Sequence, residues 1–263
     1  MTDKEVVTPV PAATILMLRD GQQGLEVFMV VRHHQIDFAS GALVFPGGKV
    51  DEGDTNVRDY CTGVDDLDDV ALSLQVAAIR EAFEECGILL ARQVDGDHLI
   101  SGEKLQSLHP YRERLNKGEL SIREFLSSEG LLLACDQLNH FAHWITPAMM
   151  PKRFDTHFYL AVAPEDHLAV HDGYESVDSV WITPEQAILD AKEGRKTVIF
   201  PTRLNVELLG LSSSVDEAME ATDQRQIVTV LPWTEQRDDG TYLCIPPEAG
   251  YSVSEELTQG RIA

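Results

Sequence analysis

The sequence specifies an α/β fold, and three features carry that reading. Apolar segments of strand length recur from residue 13 onward. One long segment, residues 72–90, has helical periodicity instead. Late in the chain a strand-like run passes straight into a helix-start signal. Hydrophobic residues make up 43% of the chain, enough for a core. At ~150 residues per domain, 263 residues leave one large domain or two small ones open. No linker-like stretch divides the chain, so one domain over residues 1–263, carrying insertions, is expected.

The elements follow in order. Ala13 to Leu18 reads as a strand, Arg19 to Gly24 as turn chemistry and Leu25 to Val31 as a second strand, so the pair forms a hairpin with a longer loop. Ala42 to Phe45 is a short strand that stops at Pro46-Gly47-Gly48. The acidic stretch Asp51 to Asp69 has little periodicity and reads as an exposed loop with a short helical turn. From Leu72 to Leu90 the residues Leu72, Val76, Ile79 and Phe83 form one apolar stripe, and Gly87 suits a left-handed helix end. Residues 99–137 read as helical, punctuated by Pro110 and Gly118. Strands return at Phe141 to Ile145, Phe154 to Val162 and Ser179 to Ile182. Thr183-Pro184-Glu185 then caps a helix reaching about Lys192. Val206 to Ala221 reads as a helix or pair of turns, with weak strands at Gln226 to Leu231 and Tyr242 to Ile245.

Charge narrows the function. Forty-four acidic against 21 basic residues give a net charge of −23. Nucleic-acid binding through a basic footprint is disfavoured, because displacing phosphate counterions takes an excess of Lys and Arg. An anionic substrate would need local positive charge from a few bases or from bound metal. Cys61, Cys86, Cys135 and Cys244 lie far apart without a CxxC pair, so reduced thiols are expected. With no signal-peptide core at the start, no apolar run of membrane-spanning length and no peroxisomal ending, a cytoplasmic setting without membrane association is expected.

The chemistry concentrates in Arg80-Glu81-Ala82-Phe83-Glu84-Glu85-Cys86-Gly87-Ile88. On an α-helix Glu81 and Glu85 point the same way, with Cβ atoms ~5–6 Å apart, and like charges there repel. Arg80 reaches Glu84 at i, i+4 and holds one carboxylate still. Glu81 and Glu85 are then an unneutralised pair of the kind a hard divalent cation binds. Upstream, Phe45-Pro46-Gly47-Gly48 ends a strand in a diglycine that lets backbone approach another group closely, and Asp51, Glu52 and Asp54 follow.

Together these residues resemble the Nudix hydrolase signature, G-x5-E-x7-R-E-U-x-E-E-x-G-U, where U is aliphatic. Gly48 matches the first glycine, Asp54 stands at the first glutamate, Arg80-Glu81 match R-E, Ala82 stands at U, Glu84-Glu85 match E-E and Gly87-Ile88 match G-U. Position 54 is Asp instead of Glu, Ala82 is small for its place, and 25 residues, Thr55 to Ile79, replace the usual seven. A long insertion at this point, with Phe-Pro-Gly-Gly-x-Val-Asp before it, is similar to the split-box branch of the family, the coenzyme A diphosphatases. The Ala12 to Leu18 strand and Arg153-Phe154-Asp155-Thr156-x-Phe158-Tyr159 look like the same branch. The likeness covers residues 12–54 and 71–91, and less closely 140–200.

This resemblance implies an α/β/α sandwich with a mixed sheet. A helical insertion is expected over about 100–137 and a C-terminal extension over about 200–263, besides the insertion in the box at about 55–79. It implies water attack on a phosphoanhydride with Mg²⁺ or Mn²⁺, and a small-molecule nucleotide as substrate. Coenzyme A or its thioesters lead, with ADP-ribose, dinucleotides and nucleotide sugars as alternatives. By the match, Glu81, Glu84 and Glu85 hold metal, the Gly47 carbonyl is a further ligand, and Arg80 orients a glutamate. Glu81, or a loop residue such as Glu175, serves as general base. Asp54 is one methylene short for direct metal contact. Arg32 faces substrate in the resembled branch, and Lys152-Arg153 is a candidate phosphate clamp. A non-catalytic ligand sensor is disfavoured because all three helix glutamates are present. A homodimer is compatible with the sequence.

Other signals have plainer readings. His33-His34, His140 and His143 lack zinc-site spacing and read as polar groups at strand ends. Asp65-Asp66-Leu67-Asp68-Asp69 is a solvated loop without the glycine and terminal glutamate of a calcium loop. Trp144, Phe158 and Trp181 sit in strand contexts and read as core.

Overall fold

A computed structural model describes residues 6–32, 41–167 and 176–258. The strands are β1 (Val10–Gly21), β2 (Gly24–Arg32), β3 (Leu43–Val44), β4 (Gly47–Lys49), β5 (Cys61–Thr62), β6 (Ala91–Gln93), β7 (Leu131–Ala134), β8 (Asn139–Ile145), β9 (Phe154–Val162), β10 (Ser176–Ile182), β11 (Thr229–Val230), β12 (Trp233–Arg237), β13 (Gly240–Cys244) and β14 (Glu255–Leu257). The helices are α1 (Asp69–Glu81), α2 (Gly102–Asn116), α3 (Ile122–Glu129), α4 (Pro184–Lys192), α5 (Phe200–Leu209) and α6 (Val215–Asp223).

The main sheet runs β10-β2-β1-β9-β8-β11. It is mixed: β1 lies parallel to β9 and β8 parallel to β11, and the other neighbours are antiparallel. Strand β1 is central, and its apolar run is buried on both faces. Ala13, Ile15 and Met17 meet a core with Leu72, Val76, Ile79 and Phe83 of the α1 segment. Leu16 and Leu18 meet a second core with Ala187 of α4, Leu204 of α5 and Ala218 of α6. The sandwich is therefore α/β/α, as expected. Among the described residues no helix is long and apolar enough to cross a membrane.

One irregularity in the sheet positions the site. On one edge β1 pairs twice: Leu18–Gly21 with β2, and Ala12–Thr14 with β4. Between these stretches β2 turns away to pair with β3. The fork brings the diglycine of β4 to the end of the sheet, beneath α1.

Several elements differ from expectation. The β1–β2 hairpin closes on the two residues Gln22 and Gln23, because both strands outrun their apolar stretches and pair Gly21 with Gly24. The 72–90 helix ends early. Beyond α1, Ala82–Cys86 widens into a π turn, and Gly87 caps it at φ 71°. In the box insertion, α1 itself takes up residues from 69 onward. The rest of that insertion is less exposed than its acidity suggests, since Val57 and Val64 are buried. The 100–137 insertion is α2, which runs through Pro110, then α3, then strand β7. Leu131-Leu132-Leu133-Ala134 pairs with β5 and β6, a long-range partnership that helical spacing did not reveal. In the C-terminal extension, α5 and α6 are separated by Gly210–Ser214, β11 extends the main sheet, and β12–β13–β14 form a small antiparallel sheet. The Tyr251 hydroxyl accepts from Trp144 Nε1 at 2.8 Å and donates to Asn205 Oδ1 of α5 at 2.8 Å, tying that extension to β8. The four cysteines are free.

The helical insertion shares the α1 core. Phe125 of α3 is fully buried and stacks on Phe83 with ring centroids 5.4 Å apart. Phe125→Ala is expected to cost about 3–5 kcal/mol by urea unfolding. A loss under ~1 kcal/mol would mean that the insertion does not share that core.

Candidate functional site

The site is built where the β4 diglycine meets the end of α1. A Cβ on Gly47 would lie 2.4 Å from the Ala13 carbonyl oxygen, and one on Gly48 would lie 2.3 Å from Glu81 Oε1. At Gly47 the neighbouring strand's backbone leaves no room for a side chain, and at Gly48 a Cβ would displace the Glu81 carboxylate. The Gly47 backbone N–H donates to Glu85 Oε2 at 3.1 Å, so strand and helix are joined directly.

The π turn determines where the glutamates stand. Its hydrogen bonding is looser than that of an α-helix, and such turns recur at functional sites. Two bonds close it, Gly87 N–H to the Phe83 carbonyl at 2.9 Å and Ile88 N–H to the Ala82 carbonyl at 3.3 Å. From α2, Arg112 donates through Nε and Nη2 to the Glu84 carbonyl at 3.2 and 3.0 Å. The regular i, i+4 alignment of Glu81 and Glu85 is replaced by this widened geometry, which keeps Glu84 and Glu85 buried at the cavity wall.

Arg80 organises the acids. It is only 5% exposed. Its Nε and Nη2 donate to the two oxygens of Asp54, each at 2.9 Å. Nη2 also donates to the Lys49 carbonyl at 2.9 Å, and Nη1 to Glu81 Oε1 at 2.9 Å. Its approach to Glu84 is longer, 3.4 Å, and Asp51 lies 3.7 Å away. The expected Arg80–Glu84 pairing is thus secondary. The fork of the guanidinium goes to Asp54, and Glu81 is not left unneutralised. The planar donor pair matches a carboxylate bidentately, and the shorter Asp side chain fits beneath it. Asp54 Oδ2 also accepts the Asp51 N–H at 2.8 Å, closing the turn Glu52–Thr55.

One guanidinium faces four carboxylates here: Asp51, Asp54, Glu81 and Glu84. The shortage of positive charge shows at Glu84. Burial, then the Glu81 charge, outweigh Arg80 and push its carboxyl up to about 8. Such a donor set, all oxygen and short of countercharge, fits a hard divalent cation.

The acids form one end of a cavity of about 970 Å³. Gly47, Gly48, Arg80, Glu81, Glu84 and Glu85 line that end, with Arg32 and Lys49 also on the wall. The rest is largely apolar, with Trp144, Met150, Phe154, Phe158, Phe200 and Leu257 prominent. The structure therefore gathers Arg80, Glu81, Glu84, Glu85, Gly47 and Arg32 around one space. Arg153 does not join them: it is buried and donates to the Thr146 and Val7 carbonyls at 2.9 and 2.7 Å, a strand-fastening role. Glu175, His33 and His34 lie outside the described residues. Trp144 and Phe158 are buried, as read, but they also face the cavity. Sequence reasoning missed the Asp54 clamp, for which the motif position was the signal. It also missed the apolar wall from the C-terminal extension, for which the sequence held none.

The family model of the NUDT19 Nudix domain matches residues 62–206, more than half of the chain. A Caenorhabditis elegans protein carrying a Nudix hydrolase name is 26% identical over 169 residues, 64% of this chain. The chain spans half the length of that relative. The acyl-coenzyme A diphosphatase NUDT19 of Xenopus laevis is 22% identical over 277 aligned positions, covering 89% of this chain and 73% of that protein. Among solved structures, a Nudix hydrolase from Alicyclobacillus acidocaldarius superposes with a TM-score of 0.64 at 27% identity, over 81% of this chain and 96% of that one.

The Glu84 carboxyl makes a prediction about metal-free protein. Unfolded, it ionises near 4.5; folded, it holds its proton to about 8. Between those values the folded state binds the extra proton, so stability falls as pH rises, by up to ~1.4 kcal/mol per pH unit. Urea midpoints in chelator are expected to show wild type losing stability relative to Glu84→Gln across this window, and Mg²⁺ is expected to abolish the slope. A wild-type minus variant difference that stays flat with pH contradicts the assignment.

Proposed function

The chain belongs to the Nudix hydrolases, in the NUDT19 Nudix domain family, and on that premise we propose that it is a metal-dependent diphosphatase of coenzyme A or acyl-coenzyme A. One observation carries the substrate choice: a single cavity joins a carboxylate centre to an apolar wall. A diphosphate with an adenosine on one side and a long, partly apolar thiol or thioester arm on the other matches that division.

The roles follow from the geometry. Glu81 and Glu85, held by Arg80 and by the Gly47 N–H, are the principal ligands for Mg²⁺ or Mn²⁺. Glu84 is the third, and the Gly47 carbonyl is a further one. When bound, the cation lowers the pKa of a coordinated water and screens the diphosphate and the charge growing on the leaving phosphate. Arg80 is a positioning residue: Asp54 occupies its fork, so it orients Glu81 without touching substrate. Glu81 accepts the proton of the attacking water. Arg32 and Lys49 offset the anionic approach from the cavity wall. Trp144, Phe158, Phe200 and Leu257 receive the apolar arm and exclude water from it. The products are a phosphopantetheine and a 3′-phosphorylated adenosine phosphate. The whole of residues 1–263 acts as one domain, and a cytoplasmic setting suits the substrate.

A product-resolved assay with Mg²⁺ or Mn²⁺ over coenzyme A, acyl-coenzyme A, ADP-ribose and NADH tests this. Coenzyme A or its thioester is expected to lead; ADP-ribose or NADH far ahead would remove the coenzyme A assignment and leave the hydrolase. Glu85→Gln is expected to reduce turnover on the order of 100-fold or more with little change in folding. Gly48→Ala acts by displacement. Its Cβ meets the movable end of Glu81, so activity falls steeply while the melting temperature changes by only a few degrees. Full activity in both variants would refute the carboxylate centre.

A further inference from the structure

Strand β9 alternates its faces. Thr156 and Phe158 line the cavity, so Asp155 and His157 project from the other side of the sheet, where His157 lies opposite His143 of β8. We propose that His143, Asp155 and His157 form a second cation site, selective for a borderline divalent ion such as Zn²⁺ and separate from the carboxylate centre.

Three ligand atoms, one from each residue, lie within 4.8 Å of one another. His143 Nε2 is 2.5 Å from Asp155 Oδ1, and His157 Nε2 is 3.9 Å from the same oxygen. Donor atoms on a tetrahedral Zn²⁺ with bonds of ~2.0–2.1 Å stand ~3.3 Å apart, between those two distances. The His143 and His157 rings stack with centroids 3.9 Å apart and planes at 22°, so both rings turn out of the stack to share the ion. The side chains are 16%, 37% and 21% exposed for His143, Asp155 and His157, which leaves a path for the ion and a position for a water ligand.

The outer partners aim the nitrogens. His143 Nδ1 lies 2.8 Å from Thr229 Oγ1, and His157 Nδ1 lies 3.1 Å from His140 Nε2. Hydrogen-bonded outer partners of this kind set ring orientation and ligand basicity in metal sites. Two imidazoles and one carboxylate prefer Zn²⁺ or its neighbours, whereas the all-oxygen centre prefers Mg²⁺ or Mn²⁺. His140 and His143, read from spacing along the chain as polar groups at strand ends, both stack on His157. They converge only through cross-strand pairing. An ion here would fasten β8 to β9 and, through Thr229, to β11 of the C-terminal extension.

The test uses the full chain, stripped with chelator and titrated with Co²⁺ and Zn²⁺ in excess Mg²⁺. One equivalent of Co²⁺ is expected to bind with a visible ligand-field spectrum, to be displaced by Zn²⁺, and to be unaffected by Glu85→Gln. Zn²⁺ is expected to raise the melting temperature of wild type. Affinity is expected to fall at least tenfold in His143→Gln and His157→Gln, with circular dichroism reporting their folding. Histidine ring signals in wild-type NMR spectra decide the matter even if those variants do not fold, since Zn²⁺ must shift His143 and His157. No binding in excess Mg²⁺, loss of binding in Glu85→Gln, unchanged affinity in folded histidine variants, or unshifted His143 and His157 signals would each overturn the site. Because the readout is binding, failure here leaves the hydrolase reading intact.

Discussion

The bidentate pair between Arg80 and Asp54 is the constraint on which the site depends. Both side chains are withdrawn from solvent, and a buried ion pair contributes little net stability once desolvation is subtracted. Removing one partner leaves the other charged and stranded, at a cost of about 3–5 kcal/mol. Its importance here is positional. Asp54 belongs to the loop after the diglycine and Arg80 to the last full turn of α1, so the pair clamps loop to helix. The remaining guanidinium N–H groups then hold Glu81 and the Lys49 carbonyl.

Around that clamp the architecture divides the work. The forked β1 edge delivers Gly47 and Gly48, and their missing side chains make room for strand and carboxylate. The π turn sets Glu84 and Glu85 into the wall, and Gly87 ends it. The α1 face of the sheet carries the core that keeps this helix still, shared with the insertion through Phe83 and Phe125. The other face, with the C-terminal extension folded onto it, supplies the apolar part of the cavity. The carboxylate cluster and the apolar wall of the cavity are thus drawn from different stretches of chain.

What was legible in the sequence was local. The stripe of Leu72, Val76, Ile79 and Phe83, the Gly87 cap, the Thr183-Pro184 helix start and the strand Phe154 to Val162 could be placed because period and capping chemistry act over a few residues. The acidic motif located Arg80, Glu81, Glu84 and Glu85. What escaped was long-range. The clamp on Asp54 spans 26 residues, and nothing local distinguishes it from the i, i+4 pairing with Glu84. The π turn follows from packing, including the Arg112 contacts, and not from helix propensity. Strand β7 looked like part of a helical insertion because a short leucine run has no decisive period. His143 and His157 meet only through the β8–β9 register.

Acids gathered at the end of α1 to hold a cation are the centre of the proposed chemistry. The most direct measurement is the anomalous difference map of a crystal soaked in Mn²⁺. At least one peak is expected within bonding distance of the Glu81 and Glu85 carboxylates, beside Gly47. A fully soaked crystal with no peak there, and those side chains unmoved, would contradict it.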